Sequence, residues 1–114
     1  MTTTNDWAFE HPAKITVCDA EGTITYMNRA AREAFAEEGG AELIGTSLLE
    51  RHPEPSKSRL REMLDKGEGF RYVTERRGEK ALVDQATIHR DGAFAGLVEI
   101  VIPFADDLPL RVRD

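Results

Sequence analysis

The chain has 114 residues, 40% of them apolar and 32% charged, which fits one soluble globular domain with a single core and excludes disorder throughout. With 15 basic against 21 acidic residues the formal charge is −6, so a phosphate backbone meets net repulsion. The visible basic cluster, Arg76-Arg77, is flanked by Glu75 and Glu79, and no nucleic-acid partner is expected.

Residues 1–13 read as a flanking segment, polar except for Trp7 and Phe9, two aromatics that need an apolar surface to cover them. That surface is either a second copy of the chain or the chain's own sheet. The start, MTTTNDWAFEHP, has neither a basic leader nor an apolar stretch, and no later apolar run reaches the roughly 20 residues that cross a bilayer. No membrane partner and a cytoplasmic location are expected.

Lys14 to Asp19 is β-rich, Ala20 to Gly22 is a turn, and Thr23 to Met27 alternates β-branched and aromatic residues, so the two runs form a hairpin. Asn28 closes the second strand and opens NRAAREAFAEEGG, a helix with Ala30, Ala31, Ala34 and Phe35 at helical spacing, stopped by Gly39-Gly40. Its side chain is placed to accept from the free N–H groups of the first turn. The stretch AELIGTSLLERHPEP is too punctuated for one helix and reads as short helical turns and loops. Ser56 is the expected cap of the next helix, in which Leu60, Met63 and Leu64 make one apolar stripe and Gly67 is the stop.

The period then changes to two. Phe70, Tyr72 and Thr74 alternate with Arg71, Val73 and Glu75, Gly78 turns the chain, and a strand from about Lys80 carries Leu82, Asp84, Ala86 and Ile88 on one face. After the turn Arg90-Asp91-Gly92, AFAGLVEIVIPF is the most apolar strand of the chain. The expected order is two strands, several short helices and three antiparallel strands over residues 14–104, with a tail at 105–114.

This order resembles the PAS domain, with DAEGTITYMNRAA near the start, LIGTSL in the middle and HRDGAFAGLVEI near the end. The segment GTSLLERHPEPSKSRLREML is similar to a subgroup with a His-Pro step and a Ser just before the long helix. The resemblance implies an α+β fold: a five-stranded antiparallel sheet, helices packed on one face, and an internal cavity between them. Departures are also visible. Pro103-Phe104-Ala105 stands where the family often carries an Asp-Ile-Thr-like step into a signalling helix. Cys18 lies on the first strand, not near the second helical stretch where the flavin-linked subgroup needs its cysteine.

No phosphate-cradling glycine loop, nucleophile elbow or two-histidine metal helix is present, and no enzyme is expected. The single Cys18 excludes an internal disulfide and reads as a buried small hydrophobe, and the three histidines lack ligand spacing, so no metal, haem or other cofactor is expected. Candidate ligand contacts are His52, Ser56, Tyr72, Asp84 and Gln85. His52 faces solvent or the cavity mouth. One of Asp84 and Gln85 turns toward the helices, where a buried polar group needs a partner from the protein or a ligand. Two functions fit: a non-catalytic sensory module that binds a small molecule and signals through an unknown protein, or an assembly module whose cavity is filled by Phe70, Tyr72, Phe94 and Met63. A homodimer is expected in either case.

Overall fold

The computed structural model describes residues 6–114; the first five residues of the predicted flanking segment lie outside the described residues. The elements are α1 (Trp7–Glu10), β1 (Lys14–Asp19), β2 (Ile24–Met27), α2 (Arg29–Ala34), two short 3-10 turns (Ala36–Glu38 and Gly40–Leu43), α3 (Leu48–Arg51), α4 (Ser56–Lys66), β3 (Phe70–Arg76), β4 (Glu79–Arg90) and β5 (Ala93–Phe104). The strands form one antiparallel sheet in the order β2-β1-β5-β4-β3. The fold is α+β, with the short helices between β2 and β3 covering one face of the sheet.

Local chemistry sets the strand connections. Between β1 and β2, Asp19 Oδ1 accepts from the backbone N–H groups of Glu21 and Thr23 at 2.9 and 3.0 Å, adding to the backbone bonds from Asp19 N to the Thr23 carbonyl and from Gly22 N to the Asp19 carbonyl. Arg77-Gly78 and Asp91-Gly92 join the later strands, each pair at positive φ, the two-residue geometry that matches the twist of a hairpin. Within β5, Gly96 has φ 148°, and a Cβ there would collide with the Cys18 carbonyl oxygen, so glycine is what lets β1 approach β5 at this point.

Asn28 ties the amino-terminal half together and is wholly buried. Its Oδ1 accepts from Ala31 N at 3.0 Å, capping α2, and from Ile15 N at 2.9 Å; its Nδ2 faces the carbonyls of Ala8, His11 and Ala13 at 3.0, 3.1 and 2.8 Å. One side chain thus joins the helix start, the first strand and the flanking segment. Phe9 folds back, with the guanidinium groups of Arg29 and Arg32 4.9 and 5.1 Å from its ring centre. Trp7 does not: it stays 69% exposed, edge-on to His11. The two aromatics therefore part company, one covered by its own chain and one still uncovered.

The core is built on α4 and the sheet. Leu60 and Leu64 are buried with Leu49, Cys18 and Leu97, and Met63 and Leu48 pack against them; Ile24, Met27, Ala31 and Leu43 form a second cluster that Leu48 also touches. Two expectations about the helices are corrected. The helix after Asn28 ends at Ala34, because the Phe35 carbonyl turns to accept from Glu38 N and Gly40 N and the chain continues as 3-10 turns, which leaves Phe35 exposed. Ser56 is the first residue of α4 and caps nothing; Glu54 Oε1 instead accepts from Ser58 N and Oγ at 3.1 and 2.6 Å. No helix of the described residues is long and apolar enough to cross a membrane.

Candidate functional site

Helices α3 and α4 stand off the inner face of the sheet and leave a cavity of about 480 Å³, within the range of about 300–1,000 Å³ typical of small-molecule sites. It opens between α4 and β3, because β3 is the edge strand and is exposed along its whole length. Leu48, Leu60, Met63 and Leu97 form an apolar wall, with Cys18 among them.

The floor is polar, and strand register explains why. Thr16 on β1 stands opposite Glu99 on β5, Glu99 opposite Gln85 on β4, and Gln85 opposite Phe70 on β3, so one row of side chains crosses four strands on the cavity side. Gln85 Nε2 donates to Glu99 Oε2 at 2.8 Å. Two residues along β3, Tyr72 joins Phe70 at the rim with ring centres 5.6 Å apart; they are 39% and 58% exposed.

Electrostatics at the site holds the Tyr72 hydroxyl and the Cys18 thiol in their protonated forms. Burial pushes the Tyr72 hydroxyl above its ordinary value, the Glu99 charge adds to this, and Arg59 opposes it. Cys18 is raised chiefly by burial, against a backbone hydrogen bond from Leu97. A thiol so placed is a poor nucleophile at neutral pH. On the helix side, His52 Nδ1 lies 2.8 Å from the Leu48 carbonyl. A carbonyl only accepts, so Nδ1 donates, and Nε2 is left for other contacts at the cavity wall.

His52, Ser56, Tyr72 and Gln85 are therefore brought together on one cavity. Asp84 is not. It lies on the opposite face of β4, where it accepts from Arg71 Nε at 2.7 Å across the β3–β4 pair. The reason is the strand period: buried Val83 and cavity-lining Gln85 point inward, so the residue between them points out. Sequence reasoning missed Thr16, Arg59 and Glu99 on the cavity lining. Glu99 carried a signal, as the only charge inside LVEIVIPF and two residues from Leu97 on an alternating strand. Among the described residues no three His, Cys, Asp or Glu side chains come together as metal ligands would.

A family model described as the PAS fold matches residues 10–67, just over half of the chain. The chain belongs to the PAS fold family. No curated protein sequence matches it. Solved structures that it resembles include the Aer2 receptor of Vibrio cholerae, a dual PAS-heme oxygen sensor, at 16% identity and TM-score 0.65 over 82% of this chain and 95% of that one. A sensory box sensor histidine kinase of Vibrio cholerae matches at 16% identity and TM-score 0.60, over 81% of each chain. The VqmA dimer of the same organism, a LuxR-type receptor, matches at 14% identity and TM-score 0.66 over 99% of this chain and 56% of that one. At these identities the likeness is one of fold.

Proposed function

We propose that this PAS domain is a non-catalytic sensory module, in which a small molecule enters the cleft between α4 and β3 and its presence is passed on through protein–protein contacts. One observation carries the reading: no side chain of the described residues plugs the cavity, and its floor is polar. Of the side chains that an assembly module would use as plugs, Phe70 and Tyr72 meet at the rim, and Phe94 packs against His89 and the buried cluster of Cys18, Leu60, Leu64 and Leu97 without lining the cavity. Only Met63 lies on the wall without closing it. His52-Pro53 and Ser56, just before α4, are the features by which we assign the chain to the His-Pro subgroup, and His52 and Ser56 both line the cavity. The ligand we propose is not a haem, because the sheet floor carries a carboxylate and an amide where a porphyrin face needs apolar cover.

A cytoplasmic setting, a homodimer and a downstream signalling protein belong to the same proposal. They are supported by the lack of a membrane-crossing helix among the described residues, by apolar side chains on the outer face of the sheet, and by neighbours that include a sensor kinase and a dimeric receptor. Native mass spectrometry of the freshly purified chain tests the binding step. The expected result is an added mass of metabolite size that is lost on denaturation, with no Soret band in the absorption spectrum. A bare mass, together with no shift in unfolding temperature across a metabolite library, would overturn the reading.

A further inference from the structure

Resting on that sensory reading, we infer that the ligand is a small zwitterion, its protonated amine held by Glu99 and its carboxylate by Arg59. A carboxylate can accept about four hydrogen bonds, and among the described residues Glu99 receives one, at Oε2 from Gln85. No Lys, Arg or His of the described residues forms an ion pair with it. Glu99 Oε1 is thus left to the cavity, and among the described residues no donor reaches Gln85 Oε1 either. Neither atom is a sealed, unpartnered group, since among the described residues only the Tyr26 hydroxyl is that. Both oxygens are therefore within reach of what enters. Thr16, opposite Glu99 on β1, adds a hydroxyl. Three acceptors in one row match the three N–H donors of an ammonium group.

The opposite sign stands across the cleft. Arg59 lines the mouth from α4, and among the described residues no carboxylate pairs with it. Its field reaches the cavity, because it opposes the upward push on the Tyr72 hydroxyl that burial and Glu99 produce. The same cavity carries the apolar side chains of Leu60, Met63 and Leu97. An apolar occupant would strip water from Glu99 and give nothing back, and an anionic one would set like charge against it. A purely cationic occupant satisfies the floor and leaves Arg59, which is exposed, in water at little cost. The amine contact is accordingly the strong one and the carboxylate contact the weaker.

The test is calorimetric titration and thermal unfolding of the full chain with α- and ω-amino acids, each beside its decarboxylated amine and its deaminated acid. At least one zwitterion is expected to bind, its amine analogue weaker by no more than about fivefold, as an exposed ion pair is worth. Its acid analogue is expected to be at least about tenfold weaker, as loss of a charge-assisted hydrogen bond entails. Glu99→Gln should abolish the preference for the amine, and Arg59→Gln should make zwitterion and amine equal. If Glu99→Gln does not fold, the analogue series on the unaltered chain and Arg59→Gln give the same answer. Acids that bind as well as zwitterions, or a retained ligand without a basic nitrogen, would overturn the inference and leave the sensory reading standing. Absence of binding by every series, with no retained mass, would overturn both.

Discussion

At the scale of single residues, Asn28 shows how one polar side chain can organise a fold. Removing it strands two backbone donors and three carbonyls that are otherwise paired inside the protein. Each buried group left without a partner costs about 1–3 kcal/mol. Asn28→Ala is expected to lose about 3 kcal/mol or more, read from chemical denaturation. Asn28→Asp should fare no better, since it keeps the acceptor for Ala31 N but presents oxygen, and charge, to three carbonyls. A well-tolerated Asp would show that only the cap matters.

Cys18 gives a pH signature at the same scale. Its pKa in the folded chain is raised above the ordinary 9.0, so the folded state keeps a proton that the unfolded chain releases. The stability this contributes is fully present below pH 9.0 and is lost as pH rises through the folded value. Tyr26 and Tyr72 are also raised, from 10.0, so the window between pH 9.0 and 10.0 isolates the thiol. Over that window the unfolding midpoint should fall more steeply in the unaltered chain than in Cys18→Ala; equal slopes would refute the assignment.

At the scale of elements, the strands were legible because alternation and glycine turns are local signals: the two later hairpins turn at Arg77-Gly78 and Asp91-Gly92, close to where the sequence places them. The α4 stripe was legible for the same reason, and Leu60 and Leu64 are buried. Alternation groups Leu82, Asp84, Ala86 and Ile88, but cannot say which face the helices cover. That choice is made by packing of α4 over Cys18 and Leu97, residues far apart in the chain. Alternation alone therefore offers Asp84 to a ligand and passes over Glu99. Ser56 has the chemistry of a cap at the expected place, but Glu54 reaches the first turn of α4 with a longer arm and accepts there instead. Leu64 is where the helix meets the hairpin, close to Leu49 and Gly22. Leu64→Ala should cost roughly 2–5 kcal/mol, and an unchanged urea midpoint would mean that α4 does not seal this part of the core.

At the scale of the whole molecule, the sheet has two faces and the helices cover one. On the outer face Leu82, Val98 and Ile100 are half-buried, and Ile102 and Val73 are 42% and 56% exposed; Trp7 is also uncovered. Such a face is the surface on which the proposed homodimer would form. Deleting the flanking segment is a poor way to test it, because that deletion also takes from Asn28 its contacts with Ala8 and His11. Ile102→Glu is the cleaner change. An exposed substitution of this kind shifts the stability of one subunit by about 0.5 kcal/mol or less. In a two-fold interface it would appear twice and set charge into an apolar patch. The unaltered chain is expected to sediment as a dimer and Ile102→Glu as a folded monomer with an unchanged circular dichroism spectrum. A chain that stays monomeric at high micromolar concentration would refute the dimer, and a dimer indifferent to Ile102→Glu would move the interface off this face.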